Sequence, residues 1–434
     1  MTRSPTRSLH LNIFLRAFGG HMGAGRLPAT NPRDTVDPDY HIRFARQAEA
    51  ARFDAIFTAS SVGFLEDIRR TTFFGLDTTA LQSALAMVTS KIGLISTVST
   101  TFTEPFNTAR QLATLDHLSK GRAGWNIVTS SGDVEAQNFG EDHILAHGLR
   151  YERAAEFLEV TRKLWDSWDD NAFEKSAARG VICDPEFVRE INHVGKWFKV
   201  KGPAILPRPP QGRPLLVQAG SSNQGTEFAA RNVDAVFTNQ ASYDGSRTFY
   251  VKIKAEAEGF GRDPAALKVL PGLIPFVAAT ESEARERKDE LDSLIPREYQ
   301  LDVLRNFLGV DVSGLADDVL LPPFPPLEQV NSRKGRFLLL KNLLEGPGVT
   351  VGEAIRRLNG LNHTVAFVGT PSQVADEIEH WLTSGAADGF NVSAPSYPWG
   401  FDNICSLLIP ELQRRGLFRH DYTEDTLRAR FGAL

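Results

Sequence analysis

The sequence predicts a closed (β/α)8 barrel with insertions, and three observations predict it. Short apolar runs alternate with amphipathic helical stretches along most of the 434 residues, the pattern of parallel strands covered by helices. Eight of these runs fit strands, the number that closes a barrel. Residues 118–131 join the end of a helix to a strand that finishes in polar residues, which is where such a barrel places its chemistry.

The strands are expected at 9–17, 54–60, 92–100, 122–129, 215–220, 234–239, 267–278 and 389–394. Pro105 opens a helix over 106–119 at a position that tolerates a missing N–H, and Gly121 follows its last turn. Phe106, Ala109, Leu112 and Leu115 then form its buried stripe. Thr370-Pro-Ser-Gln373 is a capping box with proline just inside it; Val374, Ile378, Trp381 and Leu382 follow, and Gly385 closes the helix. Two regions break the rhythm. Residues 171–214 contain Trp197-Phe-Lys-Val-Lys201 and Pro207-Arg-Pro-Pro-Gln-Gly-Arg-Pro214, which predict an inserted hairpin and turn. Residues 295–362 carry Pro322-Pro-Phe-Pro-Pro326 in their middle. Both insertions are expected to cover the mouth of one domain spanning 1–434. No repeat of fixed period is present, which excludes solenoids and propellers.

Composition narrows the function. The net charge of −5 and pI near 6.1 give no basic excess, so nucleic acid is not an expected partner. No run reaches the 18 or more apolar residues of a membrane span. Cys183 and Cys405 have neither metal-ligand nor disulfide-framework spacing, so no metal is expected and a reducing, cytoplasmic setting fits. The start of the chain, Met1-Thr-Arg-Ser, runs directly into a strand-like segment rather than an export signal.

Four groups of residues could carry chemistry. After strand 215–220, Ser221, Ser222 and a helix start together form an anion site, because first-turn N–H groups lack partners and the helix dipole favours negative charge; plain N-capping by either serine fits the same residues. His147 and Tyr151, four apart at a helix start, face the same side one turn apart, although a surface histidine and an ordinary amphipathic aromatic would look alike. Thr97 lies in the hydroxyl-rich strand end Leu94-Ile-Ser-Thr-Val-Ser-Thr-Thr101, which suits hydrogen bonds to a ligand and equally suits a strand. Asn126 and Trp125 alternate across their strand, so one faces the helices and the other the barrel interior.

The block Leu115-Asp-His-Leu-Ser-x-Gly-Arg-Ala-Gly-Trp-Asn-Ile-Val-Thr-Ser closely resembles one family: component A of nitrilotriacetate monooxygenase, dibenzothiophene sulfone monooxygenase and the pristinamycin synthase subunit, within the bacterial-luciferase-like flavin monooxygenases. Asn138-Phe-Gly140, the His147 to Tyr151 region, Leu164-Trp-Asp-Ser-Trp168 and Phe367-Val-Gly-Thr-Pro extend the match over most of the chain. The resemblance implies a two-component enzyme. A separate NAD(P)H:flavin reductase would deliver reduced FMN, and O2 would give one oxygen to a small organic substrate and the other to water.

By the same resemblance Ser221, with Ser222 and Tyr151, would hold the FMN phosphate. Thr97 and Ser60 would contact the ribityl chain or ring, and His147 would orient the flavin or tune its protonation as the one candidate catalytic residue. Relatives act on aminopolycarboxylates, aryl sulfones, sulfides and alkanes, some with C–N or C–S cleavage, and a homodimer or homotetramer is implied. The chain departs from the family twice. Phe53-Asp-Ala-Ile-Phe-Thr-Ala-Ser60 ends in a hydroxyl where relatives carry an aspartate, which removes a charge-assisted contact. His21-Met-Gly-Ala-Gly25-Arg26 has glycine where relatives carry tryptophan, which is expected to open space near the substrate. Ser60 also motivates an alternative, a flavin- or F420-binding barrel without oxygenase activity.

Overall fold

The computed structural model describes residues 9–64, 75–173, 180, 182–220, 222–312, 314–327, 334–358 and 364–433. Its strands are β1 (His10–Phe14), β2 (Ala55–Phe57), β3 (Gly93–Ser99), β4 (Ala123–Val128), β5 (His193–Val194), β6 (Lys199–Val200), β7 (Leu215–Ala219), β8 (Ala235–Thr238), β9 (Lys268–Val277), β10 (Val365–Gly369) and β11 (Gly389–Val392). Eight of them close a parallel barrel in the order β9-β11-β1-β2-β3-β4-β7-β8, with β8 returning to β9. All eight expected strands are present, each shorter than the apolar run that marks it.

The helices are α1 (Pro38–Ala50), α2 (Thr78–Ala86), α3 (Pro105–Ser119), α4 (Asp133–Gln137), α5 (His147–Trp165), α6 (Asn223–Asn232), α7 (Tyr243–Gly259), α8 (Glu281–Ser293), α9 (Arg297–Leu308), α10 (Lys334–Leu344), α11 (Val351–Leu358), α12 (Pro371–Thr383), α13 (Trp399–Asn403), α14 (Ile409–Arg414) and α15 (Leu427–Arg430). Outward strand residues such as Leu11, Ile13 and Ile56 pack on α1 and α12 side chains, and Trp125 and Ile127 pack on those of α3 and α5. Strand alternation therefore sends Asn12, Thr97 and Asn126 inward. Thr370 caps α12 in the expected box, and Lys120 and Gly121 turn the chain after α3 at φ 58° and 87°.

Two features go beyond the sequence reading. β10 is a ninth parallel strand, joined to the upper half of β9 after β8 has paired with the lower half. At the opposite end α15 and Phe431 plug the barrel: Phe431 stacks on His10 at 4.7 Å, and Leu427 fills the space above Gly93. A buried Asp54 secures this end, accepting from Leu11 N at 2.7 Å and Arg419 at 2.7 Å and lying 3.3 Å from His10.

The insertions occupy different places. Residues 171–214 follow α5 and precede β7, so they lie in a helix-to-strand connection, not in a mouth loop. Their hairpin β5–β6 packs on the outer face of α5, where Glu156 accepts from Phe198 N at 2.8 Å and meets His193 at 3.1 Å. The expectation that this insertion covers the mouth is corrected by that chain order. Residues 295–362 form α9–α11 around a core of their own, including Leu304, Phe337, Leu340 and Val351. They start beside the loop after β1, where buried His21 meets Asp292 at 2.9 Å.

Candidate active site at the barrel mouth

The motif around β4 does two jobs. Its first half builds the closed end: Asp116 accepts from Ala123 N and from both nitrogens of Gln211. Arg122 is buried and donates to four carbonyls and to Thr89 Oγ1. Its second half builds the mouth. Beyond Val128 the chain turns at Ser130 with φ 53°, an uncommon conformation for a residue with a side chain. Ser99 Oγ at 2.9 Å and Arg150 Nη1, donating to Ser130 O at 2.7 Å, hold that turn. Burial pushes the Arg150 pKa below its ordinary value.

Glu135, on α4, braces the adjoining loops. It is buried and accepts from Ser131 N at 2.8 Å, Gly132 N at 3.1 Å and Ser61 Oγ at 3.4 Å. A side chain at Gly63 would strike it at 2.8 Å. Sequence reading missed this carboxylate; the one hint available was an acidic residue three positions into a short helix.

Tyr151, Ser222, Gln218 and the start of α6 meet on the neighbouring sector. Ser222 caps α6 by accepting from Gly225 N at 3.2 Å. A Cβ at Gly225 would sit 2.9 Å from Tyr151 Oη and 3.0 Å from Ser222 Oγ, so glycine is what lets the phenol approach the helix start. Gln218 Nε2 lies 3.5 Å from Tyr151 Oη, while buried Gln218 Oε1 has no partner. The exposed His147 ring lies 5.1 Å from that of Tyr151. Ser221 lies outside the described residues.

The other expected contacts are placed less directly. Thr97 is buried and spends its hydroxyl inside the barrel, donating to Thr58 O at 2.7 Å and accepting from Asn126 Nδ2 at 3.0 Å. Asn126 keeps a buried Oδ1 without a partner. Ser60 is half-buried at the end of β2 and makes no hydrogen bond among the described residues. Gly25 is exposed, and a Cβ there would meet the Phe18 ring at 3.1 Å, so Phe18 takes up part of the expected space.

Ser60, Glu135 and Ser222 follow β2, β4 and β7, and Thr97 lies within β3 between them; these strands are consecutive neighbours in the barrel. The floor below them is aromatic: Phe14 and Phe57 pack at 4.6 Å, and Phe57 and Phe237 at 4.8 Å. A helix start with first-turn N–H groups, a phenol and a capping serine suit a phosphate. Orphaned Gln218 Oε1 and the approach allowed by Gly225 fit a polar ligand in the same place. The arrangement can bind an anionic cofactor tail and shield a reacting centre above apolar side chains.

The chain is similar to known proteins along nearly its whole length. Residues 17–388 match the family model for luciferase-like monooxygenase. The chain is 40% identical to N-acetyl-S-(2-succino)cysteine monooxygenase of Bacillus subtilis, covering 99% of this chain and 97% of that protein. It is 38% identical to nitrilotriacetate monooxygenase component A of Aminobacter aminovorans, covering 98% and 96%. Among solved structures it is similar to riboflavin lyase with modified FMN and riboflavin, at a TM-score of 0.85 and 30% identity, covering 98% and 96%.

Proposed function

The chain belongs to the luciferase-like monooxygenase family, and on that premise we propose how its mouth performs FMN-dependent oxygenation. The chain is a flavin-dependent monooxygenase that uses reduced FMN on small organic substrates. When bound, reduced FMN supplies the electrons that split O2, one oxygen going to the substrate and the other to water. Tyr151, Ser222 and the α6 start hold the phosphate, the role the family resemblance also gives Ser221. Gln218 supports Tyr151, and His147 would orient the flavin. Ser60 faces the cofactor as a neutral hydrogen-bonding group. Thr97 acts through Asn126 and Thr58 rather than as a free donor.

One observation carries this assignment: Tyr151 Oη lies so close to the start of α6 that a Cβ at Gly225 would sit 2.9 Å from it. Glu135, Ser130 and Arg150 fix the loops that exclude water. A partner flavin reductase supplies the reduced cofactor, residues 1–434 act as one catalytic unit, and a homodimer or homotetramer is the expected assembly. No helix among the described residues is long and apolar enough to cross a membrane.

For the substrate, we propose a small thioether or amine carrying carboxylates, since two relatives are named for N-acetyl-S-(2-succino)cysteine and nitrilotriacetate. The test supplies each compound with a generic flavin reductase and 18O2. One labelled oxygen in the product of either supports the substrate class. Hydrogen peroxide alone with both, against oxygenation of an uncharged sulfide, overturns it.

A further inference from the structure

We propose that Arg16, at the rim of the barrel over the aromatic floor, binds a carboxylate of the substrate and selects anionic substrates over neutral ones. This rests on the oxygenase reading and deepens it, by assigning a protein partner to the carboxylates of the proposed substrate.

Strand alternation fixes where Arg16 sits. Leu11, Ile13 and Leu15 pack in the cluster between barrel and helices, whereas Phe14 packs on the residues that fill the barrel. Arg16 is the next position on the Phe14 side, just beyond the end of β1. Its guanidinium carbon stands over the Phe14 ring, 4.3 Å from the centroid, so the side chain leans in over the floor and not out toward the helices. The ladder also runs on past β1, because Leu15 N donates to Phe57 O at 3.0 Å. Continuing the register of Phe14 with Phe57 sets Ala59 beside Arg16, where a methyl group leaves room at the arginine's flank. Arg16 is half-buried, so it keeps access to solvent at the rim.

The charge distribution singles this arginine out. Among the described residues within three positions after the end of each barrel strand, Arg16 alone is charged; the others are apolar or neutral polar residues such as Ser60, Thr129, Asn239 and Ser393. Neutral groups hydrogen-bond to any polar substrate, but a cation selects one sign. Stacking on a ring engages the flat face of a guanidinium and leaves its N–H groups, which lie in the plane, directed sideways. That edge matches the two oxygens of a carboxylate. At a half-buried site above apolar rings the attraction is stronger than in bulk water.

The test measures binding before turnover. The full chain, saturated with oxidised FMN and without reductase, is titrated with N-acetyl-S-(2-succino)cysteine and with the same compound after methyl esterification of its carboxylates, following the flavin absorbance. Wild type is expected to bind the acid more tightly than the ester. Arg16→Met should weaken the acid roughly 10- to 150-fold and leave the ester and FMN affinities unchanged. Weakening of acid and ester alike, or of neither, overturns the proposal. So does a matching loss of FMN affinity, which would make Arg16 a cofactor contact. If Arg16→Met does not fold, wild type decides: no binding of the acid, an ester bound as tightly as the acid, or acid binding unaffected by added salt overturns the carboxylate contact. Turnover is scored separately. A wild type that binds the acid through Arg16 yet incorporates no oxygen from 18O2 into any compound sinks the oxygenase reading and leaves the anion site standing.

Discussion

Removing one oxygen atom separates binding from folding at this site. Tyr151 Oη has its nearest protein donor, Gln218 Nε2, at 3.5 Å, the outer limit of a hydrogen bond. Tyr151→Phe therefore forfeits little within the protein, and its stability should fall by less than about 0.5 kcal/mol. A hydrogen bond to a charged phosphate contributes about 1.5–3 kcal/mol, so the variant should bind reduced FMN roughly 10- to 150-fold more weakly. Anaerobic fluorescence titration with reduced FMN and with reduced riboflavin measures this directly. Riboflavin lacks the phosphate, so its affinity should be the same for both proteins. Equal weakening toward both ligands, or toward neither, would refute the phosphate contact.

Three further outcomes follow from the geometry. His147→Phe, at an exposed helix start, should change stability by no more than about 0.5 kcal/mol yet lower the oxygenated product formed per flavin oxidised; wild-type yield would dismiss a role for the imidazole. Glu135→Gln keeps the shape but replaces charge-assisted bonds with neutral ones about half as strong, so reduced FMN should dissociate several-fold faster in stopped flow, and an unchanged rate would mean the brace does not shape the mouth. Burial alone would raise the Asp54 pKa, but Arg419 and His10 overcome it and hold the carboxyl well below its ordinary value. The stability this gives is present above the unfolded pKa of about 3.9 and is lost as pH falls from there through the folded value. Asp54→Asn should lose about 3–5 kcal/mol at neutral pH by stranding Arg419, and denaturant unfolding below pH 4 should show a shallower acid slope than wild type; parallel slopes would contradict the pairing.

The barrel was legible because parallel strands buried on both faces must be apolar runs, and their spacing by helices shows in the chain itself. β10 escaped because Val365–Gly369 is half-exposed and hangs on β9 outside the closed sheet, so it lacks a doubly buried strand's pattern. The plug by Phe431 was hidden because a four-residue helix has no periodicity to read. At the site, Tyr151 and Ser222 were legible from a four-residue spacing and a capping position. Thr97 was read as a ligand contact at a strand end, but it is buried and its hydroxyl is committed to Thr58 and Asn126, tertiary pairing that residue type does not encode. Glu135 and Gln218 were missed for the same reason, since each acquires meaning only when loops from different strands meet around it.

A crystal structure of the chain with FMN is the most direct test of where the cofactor tail is held. The phosphate should lie against the first turn of α6, within hydrogen-bond distance of Ser222 and Tyr151 Oη. A phosphate bound elsewhere, with Tyr151 and Gly225 untouched, would contradict the account.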